Sequence, residues 1–212
     1  MVLPLVGVLS ALLLGLLPTP ASAASVEVAS VSELDRQAAE IEAELAQAPR
    51  DEALLAELTK TRVEAADALV SDGALGVSND IQMMKGQLAL AERAWQRYLK
   101  VAEKPSPELA ELVAPAIFRR AELAKGPKQA ETFVKAAAKA QRIVTASRPS
   151  EESWTTLSYY ELFAQHYDVA DQEIEKALAD TKTASERASL EKTFEKVEKA
   201  ARKFGEQLKP AH

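Results

Sequence analysis

Apolar residues recur every three or four positions along most of this chain, the spacing typical of amphipathic α-helices. Proline and glycine interrupt the spacing at intervals and mark the ends of the segments. No run of alternating β-branched residues is long enough for a strand, so the pattern predicts an all-α protein. The predicted helices cover about 32–48, 51–70, 78–99, 108–124, 128–146, 151–165, 167–180 and 185–208.

Three local features refine these boundaries. Ser32 with Asp35 resembles a shortened capping box for the first helix, whose inward face carries Leu34, Ala38, Ile41 and Leu45. Polar residues at 78–80 are candidate caps for the third helix, which carries Met83 among its apolar positions. Pro115 falls inside the fourth helix, where a missing backbone donor predicts a kink or an end.

The N-terminus differs from the rest of the chain. Residues 2–17 are apolar and uncharged, and Pro18 and Pro20 lead to the sequence Ala21, Ser22, Ala23. This order predicts a signal peptide at 1–23, cleaved after Ala23, followed by a linker at 24–31 and a helical domain at 32–212. The alternative is an uncleaved membrane anchor, although the run is shorter than the roughly 20 residues that span a bilayer. We therefore expect an extracytoplasmic protein that is secreted, periplasmic or in the cell envelope.

Composition and charge exclude several functions. The chain has no cysteine, which rules out disulfides, thiolate metal sites and thiol catalysis. A net charge of −6 argues against a nucleic-acid partner, because phosphate binding needs clustered basic residues. The two histidines, His166 and His212, lack the neighbours of a zinc site, and no phosphate-binding glycine loop occurs. We expect no metal, no cofactor and no enzymatic activity.

The segment 154–177 carries a repeat-like pattern of large and small residues. A large aromatic residue is followed by an apolar and a small residue, and small residues return in the next helix. The positions are Trp154, Leu157, Ser158, Ala170, Ile174 and Ala177. This pattern resembles the tetratricopeptide repeat, a two-helix unit of about 34 residues. Weaker copies around Ala94 and Ala137 extend the resemblance to roughly residues 51–180.

The resemblance implies an α-solenoid of antiparallel helix pairs, with the helix at 185–208 as a C-terminal cap. It also implies a scaffold or adaptor that binds a peptide or a helix of a partner protein on the solenoid surface. Membrane contact is expected only if the N-terminal segment stays uncleaved.

Two groups of residues are candidates for partner binding. Residues 106–148 carry eight basic and four acidic side chains, and Lys135, Lys139 and Arg142 share one helical face there. This face is suited to an acidic peptide, although a solvated outer face is the simpler interpretation. Tyr159 and Tyr160 are adjacent, so we expect that both cannot point inward and that one of them lines a binding surface.

Two other functions stay open at this point. The Glu- and Lys-rich helix at 185–208 is compatible with a structural role, in which a helical bundle or coiled-coil spacer self-associates in the cell envelope. Hydrolytic or metal-dependent catalysis would require acidic residues or histidines that converge in a pocket.

Overall fold

The computed structural model describes residues 30–71 and 78–208, and within these ranges the chain is all α-helical without strands. The predicted signal peptide at 1–23 and most of the predicted linker lie outside the described residues. None of the helices in the described ranges is long and apolar enough to cross a membrane. The helices are α1 (Val31–Gln47), α2 (Glu52–Ser71), α3 (Ser78–Tyr98), α4 (Pro107–Glu122), α5 (Pro127–Ser147), α6 (Glu151–Phe163), α7 (Tyr167–Asp180) and α8 (Ala184–Leu208).

All eight predicted helices occur. α4 runs through Pro115 without ending, so of the predicted kink or end at this residue the end does not occur. Pro115 lies on the exposed side of α4. Water can therefore solvate the backbone carbonyl that loses its donor there, which reduces the cost of an internal proline.

Side chains just ahead of the helices fix where they begin. Each accepts a hydrogen bond from a backbone N–H of the first turn, which would otherwise lack a partner. The capping residues are Ser30, Asp51, Ser106, Ser150 and Thr183. Ser150 and Thr183 are each part of a reciprocal capping box.

The cap of α1 differs from the prediction. Ser30 rather than Ser32 accepts the N–H of Glu33, so α1 begins at Val31, inside the predicted linker. The prediction of a capping box at Ser32 and Asp35 is wrong, and Asp35 instead contacts other helices. The predicted caps at 78–80 involve side chains outside the described residues.

Backbone contacts divide the described residues into two compact units, with the boundary in the sequence between Arg120 and Ala121. In the N-terminal unit, α2 packs against both α1 and α3. α1 buries only the predicted stripe of Leu34, Ala38, Ile41 and Leu45. α2 buries a much wider face and leaves one exposed stripe at positions 53, 57, 60, 64 and 67. Its buried residues are Leu55, Leu58, Thr59, Thr61, Arg62, Val63, Ala65, Ala66, Ala68 and Leu69.

Only one of the two adjacent methionines of α3 is in the core. Met83 is 47% exposed, whereas the neighbouring Met84 is buried at 3%. Adjacent residues of a helix lie about 100° apart, so only one of the two methionines faces α2.

The C-terminal unit is centred on α6, which contacts α5, α7 and α8. α8 also contacts α5 and α7, and it buries one stripe of Leu190, Phe194, Val197, Ala201 and Phe204. Part of this stripe joins the fully buried Ala177 in an apolar cluster, against which Trp154 packs. This apolar stripe of α8 is therefore covered by the other helices of its unit.

The turn between α6 and α7 is tied to α8 by one side chain. Gln165 has a φ of 64°, a left-handed conformation that is uncommon for a residue with a side chain. Its Nε2 donates to the carbonyl of Ala201 in α8 at 3.1 Å, and its Oε1 accepts from the Tyr167 hydroxyl at 2.7 Å. Gly205 makes room for this amide, since a Cβ there would overlap Gln165 Oε1.

We predict opposite effects of alanine at two helical glycines. Gly205→Ala should lower the free energy of unfolding by about 1–2 kcal/mol, because the methyl group displaces the Gln165 side chain. Gly86→Ala in α3 should raise it by about 0.5–1 kcal/mol, since nothing lies within 4 Å of the added Cβ. Urea unfolding followed by circular dichroism measures both, and equal stabilisation of the two variants would contradict the close contact at Gly205.

Candidate functional site

The predicted basic face on α5 is present but largely neutralised. Lys135 Nζ lies 2.6 Å from Glu131 Oε1, one turn earlier in the same helix. Arg142 Nη2 lies 2.6 Å from Glu161 Oε1, on α6. Lys139 alone of the three has no ion pair among the described residues, and it is exposed. The face therefore presents one unengaged cation rather than three.

Glu161, the partner of Arg142, has a completely buried side chain. His166, in the turn that starts α7, places Nδ1 2.8 Å from Glu161 Oε2. The two carboxylate oxygens thus contact Arg142 and His166, both of which are partly exposed. Because an uncompensated buried carboxylate is costly, this arrangement joins α5, α6 and the α6–α7 turn.

Tyr159 and Tyr160 do not line a surface. They are 6% and 3% exposed, so the prediction that both cannot point inward is wrong. The reason is the position of α6, whose residues 157–164 are all buried. The two rings meet edge to face with centroids 6.2 Å apart, and Tyr159 also packs on Phe163.

The environment of the Tyr159 hydroxyl is consistent with its burial. Burial, and to a smaller extent the charge of Glu122, raises the pKa of Tyr159 well above its ordinary value. Because both rings are buried, neither tyrosine is a candidate binding residue in this fold.

A groove in the N-terminal unit is a better candidate for binding. It has a volume of about 410 Å³ and is lined by three helices of that unit. Leu58 of α2 forms part of its floor, α1 and α3 form its sides, and two arginines of α3 stand on one side. The lining residues are Glu42, Leu45, Ala46, Leu58, Leu90, Arg93, Ala94 and Arg97.

One buried arginine connects the three helices that form the groove. The side chain of Arg62 in α2 is 9% exposed, and its Nη1 donates to Asp35 of α1 at 2.6 Å. Nη1 also lies 3.2 Å from Gln87 Oε1 of α3, and Gln87 Nε2 donates to the same Asp35 oxygen at 2.8 Å. Glu42, at the edge of the groove, lies 3.4 Å from Arg62 Nη2. This polar network holds α1 and α3 against α2.

The cations on the α3 side of the groove are available to a ligand. Arg93 and Arg97 are both exposed, and they stand one helical turn apart. Within 30–71 and 78–208, neither arginine has an ion pair or a side-chain hydrogen bond. Glu42 is the acidic residue of the groove lining, and it is engaged by Arg62. The α3 side is therefore positively charged.

The arginines at the end of α4 behave differently. Arg119 Nη1 lies 2.6 Å from Asp67 of α2, and Arg120 pairs with Glu92 of α3. Burial lowers the pKa of Arg120, although arginine stays protonated at any physiological pH. These two cations join helices within the N-terminal unit and are not available to a ligand as Arg93 and Arg97 are.

The groove was not predicted from the sequence. Arg93 and Arg97 are visible in the sequence as an i, i+4 pair, but they lie outside the basic segment 106–148. Their availability depends on which carboxylates lie nearby in space.

Among the described residues, no cluster of three or more acidic or histidine side chains is suited to a metal ion.

Comparison with families of known proteins, with curated proteins and with solved structures finds no match to this chain. The candidate site is therefore defined by its own geometry.

We predict that the contact between Arg142 and Glu161 stabilises the fold and is not part of a binding surface. Arg142→Ala should lower the free energy of unfolding by about 1–3 kcal/mol, because it leaves a buried carboxylate with His166 as its remaining side-chain partner. Adding Glu161→Gln to this variant should recover about 1 kcal/mol or more, since the buried charge is then gone. Chemical denaturation of the wild type, both single variants and the double variant measures the coupling.

Additive losses in that cycle would contradict the assignment. Lys139→Ala is a matched control on the same helix, and it should change the unfolding free energy by less than about 0.5 kcal/mol.

Proposed function

We propose that this chain is a non-enzymatic protein-interaction module that binds a peptide or a helix of a partner protein in the groove between α1 and α3. The groove itself carries the proposal, because it combines an apolar floor with two arginines that no described carboxylate neutralises. Clefts that pair apolar surface with a few directed polar groups are typical of binding sites. A scaffold or adaptor role follows from binding without turnover.

For the fold we propose a tetratricopeptide-like α-solenoid of antiparallel helix pairs closed by α8. Small residues where helices approach support this, since Ala94, Ala137 and Ala170 are at most 2% exposed. The contacts of Arg62 with Asp35 and Gln87 also support a layer in which α2 lies between α1 and α3. The contact of α8 with α5 departs from strict stacking of neighbours, and we attribute it to a capping role.

We propose the groove rather than the basic face of α5 as the binding surface. Two of the three cations on that face already have carboxylate contacts, at Glu131 and Glu161. Lys139 is left as a single exposed charge, and an isolated surface charge contributes little to affinity. The aromatic pair Tyr159 and Tyr160 is inside the fold.

We further propose that the protein is exported and acts outside the cytoplasm. The support is the order of residues 1–23, an apolar run followed by prolines and an Ala-x-Ala sequence.

The alternative of a self-associating spacer receives less support. It relies on the apolar stripe of α8 as an oligomerising surface. That stripe is buried within the C-terminal unit, where α8 contacts α5, α6 and α7. What remains on the outside of α8 is a charged face with internal ion pairs such as Arg187 with Glu191.

We predict that a photo-activated cross-linking residue in the groove captures a specific protein. Ala46 lines the groove and is exposed, so its replacement by benzoylphenylalanine should give a discrete adduct in extracts of the native cells. Excess unmodified full-length protein should suppress the adduct by competition.

Ala43 provides the matched control, because it is an exposed alanine on the same helix outside the groove lining. Equal adducts from both positions, or no competable adduct from Ala46, would refute the proposed function. Size-exclusion chromatography with light scattering separately tests the spacer, which should self-associate.

A further inference from the structure

We infer that the occupant of the α1–α3 groove is an acidic amphipathic helix, whose carboxylates pair with Arg93 and Arg97. This inference rests on the proposed function and names the chemistry of the partner. It starts from charge complementarity, since both guanidinium groups are exposed and have no described counter-ion.

The spacing of the two arginines matches the spacing of acidic residues on a helix. Residues four apart on a helix lie about 6 Å apart along its axis. Glutamates at i and i+4 of an incoming helix can therefore meet Arg93 and Arg97 at the same time. Arginine favours such pairing because its planar group donates two parallel hydrogen bonds to a carboxylate.

The apolar part of the groove adds contact but not much driving force. Leu45 and Leu58 are each only 2% exposed, so they have little surface left to bury. Leu90 is half-buried and provides most of what remains among the leucines. We therefore expect charge to contribute a large share of the affinity, and binding to weaken as salt is added.

The opposite side of the groove sets the orientation of the ligand. Glu42 keeps a carboxylate about half exposed even though it contacts Arg62. A ligand with acidic residues on both sides would meet repulsion there. The occupant that fits carries its acidic residues along the side that faces α3.

The experiment uses the full chain and three fluorescent helical peptides of about 16 residues, long enough for roughly four turns. The peptides share one pattern of leucines and differ in their polar residues, which are mainly Glu, mainly Gln or mainly Lys. Fluorescence anisotropy measures the binding of each. We expect the Glu peptide to bind at least about 10-fold more tightly than the Gln peptide, and the Lys peptide to bind more weakly still.

Two charge-reversal variants locate the site. The double variant Arg93→Glu, Arg97→Glu should bind the Glu peptide at least about 10-fold more weakly and should bind the Lys peptide more tightly than the wild type does. The double variant Lys135→Glu, Lys139→Glu changes the net charge by the same amount on the competing surface. Its affinity for the Glu peptide should stay within about 2-fold of the wild-type value. Circular dichroism confirms that both variants stay folded.

The outcomes separate this inference from the proposed function. Equal binding of the Glu and Gln peptides, or loss of binding only in the Lys135 and Lys139 variant, would overturn the inference. The cross-link at Ala46 would still support a binding groove in that case. Absence of that cross-link would instead remove the proposed function.

Discussion

Both units depend on one constraint: a charged side chain that is buried between helices must find its partners on those helices. α2 in the N-terminal unit buries most of its surface, the second half of α6 in the C-terminal unit is buried on every side, and each has one charged group inside, Arg62 and Glu161. Water cannot solvate these groups, so neighbouring helices must provide the partners. Asp35 and Gln87 do so for Arg62, and Arg142 and His166 do so for Glu161.

This constraint gives each unit specific contacts as well as apolar packing. Cores of alanine and leucine tolerate sliding, because many arrangements bury similar area. A buried ion pair is satisfied in far fewer positions, and it fixes neighbouring helices relative to each other. Arg62 thereby sets the positions of α1 and α3 that leave the groove between them. The arrangement of the groove is then a consequence of a polar group that is not part of its lining.

Whether a helix keeps a solvent-facing side decides how well its buried residues can be predicted from the sequence. The inward face of α1 was predicted residue by residue, because a helix with one buried side shows a clear period of 3.6. The second half of α6 has no such period, so reasoning from helix faces placed Tyr159 or Tyr160 outside. The available signal is the run from 157 to 164, which contains a single charged residue, Glu161. Long runs of this kind indicate a helix without a solvent-facing side.

The candidate site was harder to predict than the fold, because it depends on which charges remain after pairing. Sequence reasoning selected Lys135, Lys139 and Arg142 by local charge density, yet the structure places carboxylates beside two of them. Arg93 and Arg97 lie in a segment that is acidic overall, and the structure leaves them without a described partner. A binding surface is determined by unpaired charge next to accessible apolar area, and pairing is settled by helices that are distant in sequence.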